Sequence, residues 1–158
     1  MTERTVLDST HLEVLDRGGC LALLASVAVG RIVFTHRAMP AVEPVNFVVD
    51  GDSIVLRTGP GAKLTAARNN AVVAFEVDEI DLDEHAGWSV TVIGRAEEVR
   101  DAEENSRLAR LPLRPWAPGE HNHFIRIPIE VVTGRRIPDG RRPVPGQQRN
   151  VPVRCAGR

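Results

Sequence analysis

The chain contains no tyrosine, and its two tryptophans and four phenylalanines leave aromatics at 4% of 158 residues. A core of any size must therefore be built from aliphatic side chains. Long apolar runs are missing too. The longest, residues 20–28, is alanine-rich and falls well short of the roughly 20 residues a membrane span needs. The first eight residues carry Glu3, Arg4 and Asp8 with no apolar stretch behind a basic one, which is not the pattern of a secretory signal. Two cysteines, Cys20 and Cys155, are too few for a disulfide framework, so a cytoplasmic location is expected. Net charge is −1, which argues against nucleic acid or an anionic membrane as a general partner.

Lysine is the other scarcity. Of the 20 Lys and Arg residues, Lys63 is the only lysine. A chain that otherwise draws its positive charge from arginine has one compact ammonium, and its position is informative. The charge is also unevenly spread. Residues 137–158 hold Arg141, Arg142, Arg149, Arg154 and Arg158 against Asp139, with Pro138, Pro143, Pro145 and Pro152 and little to bury. This divides the chain into a domain over residues 1–137 and a flexible Arg/Pro-rich extension over 138–158.

What is present is mostly strand. Asp8 or Ser9 can cap a short helix through Leu12 and Leu15, stopped at Gly18 and Gly19, and CLALLAS at 20–26 reads as a second helix. From Gly30 the pattern turns to β: residues 31–35, 41–49 and 53–58, with Asp50-Gly51-Asp52 as a hairpin turn between the last two. AKLTAAR at 62–68 is helical by composition, and Asn69 and Asn70 end it. Residues 71–77 form a strand, and the acids from Asp78 to Glu84 form a connection. Residues 88–99 form a long strand with Val90, Val92, Gly94 and Ala96 on one face. Asp101 and Glu104 resemble a capping box opening a helix that ends before Pro112, and FIRIPIEVV at 124–132 closes the domain. Five or six strands in succession, with short helices between them, favour an antiparallel sheet closed as a barrel.

The stretch LRTGPGAK at 56–63 joins a strand end, a glycine-rich turn and a helix start. Helix N-termini present unpaired N–H groups that suit a phosphate. Arg57 adds a forked donor, Thr58 a hydroxyl and Lys63 a point charge in the first turn, where lysine is otherwise disfavoured. The Walker spacing is absent. His121 and His123 make a His-x-His pair without a third or fourth ligand nearby, so no metal site is expected and a solvated loop is the simpler reading. His36 and His85 are isolated, and no nucleophile–base pair is legible.

Several stretches, in order, are similar to the pyridoxamine-phosphate-oxidase-like proteins of the actinobacterial type. They are LLASVAVGRIVFT at 23–35, PVNFVVD at 44–50, LRTGPGAK at 56–63, VAFEVD at 73–78, GWSVTVIG at 87–94 and VTGRRI at 132–137. The resemblance covers about residues 11–137. It implies a mainly β fold, a six-stranded antiparallel split β-barrel with short flanking helices, forming a homodimer with FMN in clefts at the interface. By the same resemblance Arg57, Thr58 and Lys63 fall where the family holds the FMN phosphate. Pro44, Val45, Asn46 and Phe47 fall along the isoalloxazine, and Trp88 and Ser89 on a strand completing the pocket from the other subunit.

The resemblance further implies an oxidoreductase that exchanges hydride between flavin and a small-molecule substrate. Catalytic side chains are not assigned by it. True pyridoxamine-phosphate oxidation is not expected, since no counterpart of that enzyme's substrate-phosphate cluster is present. The alternatives are a deazaflavin-dependent reductase, which would want more cations along the groove, and a non-enzymatic flavin-binding or redox-sensing module.

Overall fold

A computed structural model describes residues 6–116 and 118–137. The extension at 138–158 and Cys155 lie outside the described residues. Among the described residues nine strands and three helices follow in chain order: β1 (Glu13–Leu15), α1 (Arg17–Ser26), β2 (Val29–His36), β3 (Met39–Asp50), β4 (Ser53–Thr58), α2 (Ala62–Arg68), β5 (Val72–Asp81), β6 (Ala86–Arg95), β7 (Glu97–Val99), α3 (Ala102–Leu108), β8 (His123–Pro128) and β9 (Val131–Arg136). All pairings are antiparallel, in the order β1-β9-β6-β5-β2-β3-β4-β8-β7. The sheet curls until β8 returns against β6. A Cβ on Gly94 would lie 2.0 Å from the Pro128 carbonyl oxygen, so only glycine permits that approach. The fold is a split β-barrel. The expected six strands correspond to β6-β5-β2-β3-β4-β8, and β1, β7 and β9 are additional short pieces at the margins.

The barrel interior is aliphatic, as the composition requires. Ile32, Ile54, Leu56, Val77, Val90, Val92, Ile125 and Ile127 are all fully buried around Phe75, and Leu24 and Cys20 of α1 close one end. Phe47 meets Phe75 edge-on, with ring centroids 4.8 Å apart.

Five features differ from the sequence expectation. Residues 13–15 are a strand on β9 rather than a helix. Gly18 and Gly19 begin α1 instead of stopping a helix, because the Asp16 carboxylate caps it by accepting from the Gly19 N–H at 2.7 Å. The long strand at 88–99 breaks at Ala96, whose N–H bonds to the Ala71 carbonyl, so the chain leaves β5 and joins β8 as β7. The run at 124–132 likewise divides. Pro128 has no N–H to continue a ladder, and Val131 emerges 52% exposed on a different neighbour. Part of the acidic connection belongs to β5, where Glu76 and Asp78 both accept from Arg31 of β2.

Candidate functional site

The hairpin of β3 and β4 brings the two sequence-derived clusters together. Phe47 pairs with Leu56 in register, so the antiparallel ladder sets residues 44–46 beside 57 and 58. Beyond β4 the chain turns through Gly59, where a Cβ would meet the Glu120 carbonyl oxygen at 2.6 Å. That close approach draws the loop before β8 against the turn and delivers His121 to the same place. The result is a cleft of about 230 Å³ lined by Pro44, Val45 and Asn46, by Arg57, Thr58 and Lys63, and by Val29, Pro115, Trp116 and His121.

Each polar group is positioned by an identifiable contact. Arg57 donates from Nε to the His121 carbonyl at 2.6 Å, and its guanidinium lies 5.5 Å from the Phe124 ring centroid. One bond does not exhaust a group with five N–H donors. Thr58 is 3% exposed, and its hydroxyl donates to the Gly59 carbonyl at 3.1 Å. Lys63 rises from the first turn of α2 and donates to Glu43 Oε2 at 2.6 Å, leaving two more N–H donors on the ammonium. Helix α2 is only seven residues long and its Gly61 cap makes no side-chain bond, so the side-chain cations carry the positive charge. Among the described residues two cations line the cleft and no carboxylate does, while Glu43 holds Lys63 from just outside the lining.

The far end of α2 is clamped as well. Arg68 donates twice to Glu98 of β7, at 2.9 and 3.0 Å, and His123 Nδ1 of β8 lies 3.0 Å from the same carboxylate. Hydrogen bonds from Arg68 foremost, then from Arg100 and His123, lower the Glu98 pKa to about 2, although burial opposes the shift. His121 and His123 are therefore structural members of this end of the barrel, one lining the cleft and one in an ion-pair cluster, not the solvated loop the sequence suggested. Among the described residues no group of three His, Cys, Asp or Glu side chains gathers as a metal site would require.

Six of the nine sequence-derived residues line this cleft. Phe47 turns its ring into the core. Trp88 and Ser89 sit on β6, separated from β3 by β5 and β2, with Trp88 packed against the core; they do not line the cleft of their own chain. Sequence reading missed Glu43, Val29, Pro115, Trp116 and His121. The signal available was Pro112, Pro115 and Pro118 in one short segment, which marks an extended strap and not a featureless loop. The Trp116 N–H bonds to Asn46 Oδ1 at 3.1 Å and fastens that strap across β3.

A family model for pyridoxamine 5'-phosphate oxidase matches residues 16–136. The chain belongs to that family. An uncharacterized protein of Mycobacterium tuberculosis is 44% identical over 128 residues, covering 78% of this chain and 84% of that one. A crystal structure from Corynebacterium glutamicum superposes with a TM-score of 0.71 at 36% identity, over 80% of this chain and 98% of that one. The structure of an FAD binding protein from Mycobacterium smegmatis gives 0.65 at 40% identity, over 78% and 97%. The match to the pyridoxamine 5'-phosphate oxidase family spans both cleft strands, the glycine turn and α2, and ends at β9.

Proposed function

We propose that the protein is a flavin-dependent oxidoreductase whose cleft holds the FMN unit of its cofactor, with the phosphate at Arg57, Thr58 and Lys63. The observation that carries the reading is the pairing of two cations and a hydroxyl in one cleft that no carboxylate lines among the described residues, Glu43 offsetting only one of the two cations. A dianionic phosphate is the chemistry that set fits, since both cations keep spare donors and the Thr58 hydroxyl rotor can turn to a phosphate oxygen. Val45 and Asn46 on β3 form the neighbouring wall, where the ring's polar edge would meet backbone groups. The flavin supplies hydride exchange at N5, while the protein binds and orients it. The substrate is a small molecule. The FAD binding relative at 40% identity supports a flavin over other phosphate-bearing ligands.

The same reading takes the protein as a homodimer in which Trp88 and Ser89 approach the cleft from the partner subunit. Its support is an apolar row across the outer face of the sheet. Val42, Val33, Ala74, Ile93 and Val131 are successive register partners on β3, β2, β5, β6 and β9. Val42, Ile93 and Val131 are 58%, 42% and 52% exposed. An apolar band of this kind, exposed at Val42, Ile93 and Val131 and half-buried at Val33 and Ala74 between them, marks an interaction face.

The test is purification of the full chain, followed by the absorbance spectrum and mass of the copurifying ligand, light-scattering mass, and turnover with NAD(P)H and an acceptor. The expected results are a flavin spectrum, twice the chain mass and flavin-dependent turnover. A deazaflavin spectrum overturns the cofactor, and a flavin-loaded monomer overturns the dimer. Flavin binding without turnover for any acceptor leaves a binding module in place of an oxidoreductase.

A further inference from the structure

A second cleft, of about 240 Å³, adjoins the cation-lined one and differs from it in polarity. Its floor is apolar: Phe47 and Leu113 are buried, with Ala28 and Pro112 beside them. Trp116 stands 75% exposed at the edge, where a planar molecule can stack on the indole. Arg114 is exposed as well, and among the described residues no acid pairs with it and no carboxylate lines the cleft. Asn46 and Trp116 line both clefts, and the hydrogen bond between them forms the divide. Arg57, Thr58 and Lys63 line the first cleft alone. The two clefts therefore meet at the wall that the proposed function gives to the flavin ring, away from the phosphate end.

We infer that the second cleft seats the substrate, and that the substrate is a small, planar, apolar molecule carrying one carboxylate. The inference rests on the reading that the first cleft holds a flavin, because only then does the shared wall put this occupant beside the ring. Its apolar body would lie over Phe47 and Leu113 and against the indole of Trp116. The acid group would meet Arg114, whose planar fork matches the two oxygens of a carboxylate. A phosphate monoester carries nearly twice the charge and fits less well here. The first cleft offers two cations and a hydroxyl, whereas the second has the single guanidinium. The volume lies below the roughly 300–1,000 Å³ usual for drug-sized ligands, which keeps the occupant small.

Calorimetric titration of the FMN-loaded full-length chain with naphthoate, naphthamide and naphthyl phosphate tests this, with flavin absorbance followed in parallel. Wild type should bind naphthoate about fivefold tighter than the neutral amide, the scale of one exposed ion pair. Naphthyl phosphate should bind no tighter than naphthoate, and naphthoate should perturb the flavin absorbance. Arg114→Ala should erase the preference for the acid while leaving naphthamide affinity unchanged. Trp116→Ala should weaken acid and amide alike by about tenfold, and Trp116→Phe should retain part of that affinity. Equal binding of acid and amide by wild type, or an acid preference that survives Arg114→Ala, overturns this inference alone and leaves the flavin reading standing. Tighter binding of the phosphate ester overturns the carboxylate. Naphthoate binding with no change in flavin absorbance puts the acid away from the ring and sinks the substrate role. Loss of naphthoate binding when FAD replaces FMN would assign the cleft to the cofactor and has the same result. A chain that takes up no flavin overturns both readings together.

Discussion

Two groups of cations in this molecule are built on opposite principles. Arg107 of α3 and Arg126 of β8 share Asp50 and the α3 residue Glu104: Arg107 is 2.5 Å from Asp50 and 2.7 Å from Glu104, and Arg126 bonds to Glu104. Charge is balanced there, two against two. Hydrogen bonds from Arg107 and then Arg126 lower the Glu104 pKa to about 2, and those from Arg107 foremost lower that of Asp50. At the cleft, Arg57 is given to a backbone carbonyl and Lys63 to the single acid Glu43, so positive charge is left over. A closed network locks structure. On the proposed function, an unbalanced one lining a cleft is arranged for an anion that is not part of the chain.

The contrast breaks most sharply at Lys63. Replacement by alanine removes one charge-assisted contact, worth about 1.5–3 kcal/mol, and should weaken FMN binding by roughly tenfold to a hundredfold. Lys63→Arg should fall between, because a forked guanidinium replaces a point charge. Riboflavin, without a phosphate, should bind wild type and Lys63→Ala alike. Unchanged FMN affinity in a folded Lys63→Ala protein places the phosphate elsewhere. Glu104→Gln should do the reverse. It strips the shared acceptor from Arg107 and Arg126, so melting temperature should fall while FMN affinity stays the same. A loss of affinity there would mean that the two cation groups are not independent.

The sequence was most legible where local chemistry decides the outcome. The Asp50-Gly51 turn, the α2 helix at 62–68 and the alternation of Val90, Val92, Gly94 and Ala96 all stand as expected. It was least legible where tertiary pairing overrides propensity. Residues 13–15 become a strand only because β9 is there to pair with, and a glycine pair becomes a helix start only because Asp16 caps it. The cleft cluster of Arg57, Thr58 and Lys63 was visible because its members are close in sequence. Glu43, His121 and Trp116 were not, since they arrive from 20 or more residues away through a hairpin and a strap.

Acid should separate the closed networks from the cleft. Glu98 falls to about 2 from an ordinary 4.5, and Glu104 does likewise. A carboxylate with a lowered folded-state pKa adds stability that is complete above its unfolded value and lost as pH falls toward the folded one. Wild type should therefore lose stability progressively below pH 4.5 towards 2, the window set by these two groups. Glu98→Gln should be less stable at neutral pH and flatter across that window in thermal melts at a series of pH values. Since Glu98 ties Arg68 of α2 to His123 of β8, a slope identical to wild type would show that this clamp does not form.

The smallest expected effect is also the one that tests the sign of the cleft's charge. Glu43 accepts from Lys63 at 2.6 Å, so a phosphate arriving at that ammonium finds a carboxylate already beside it. On the proposed function the acid orders the lysine before the ligand binds, but would repel the dianion once it has. Its side chain is 38% exposed, so water screens the repulsion, and a surface pair of this kind is worth at most about 1 kcal/mol. Glu43→Gln keeps an oxygen acceptor for Lys63 and removes the charge. FMN affinity should then rise by about twofold to fivefold at low salt, and the gain should shrink as ionic strength shortens the Debye length. Riboflavin affinity should not move. Weaker FMN binding in Glu43→Gln would mean that holding Lys63 in place matters more than competing for it, and the cleft would be a preorganised pair in place of an unbalanced one.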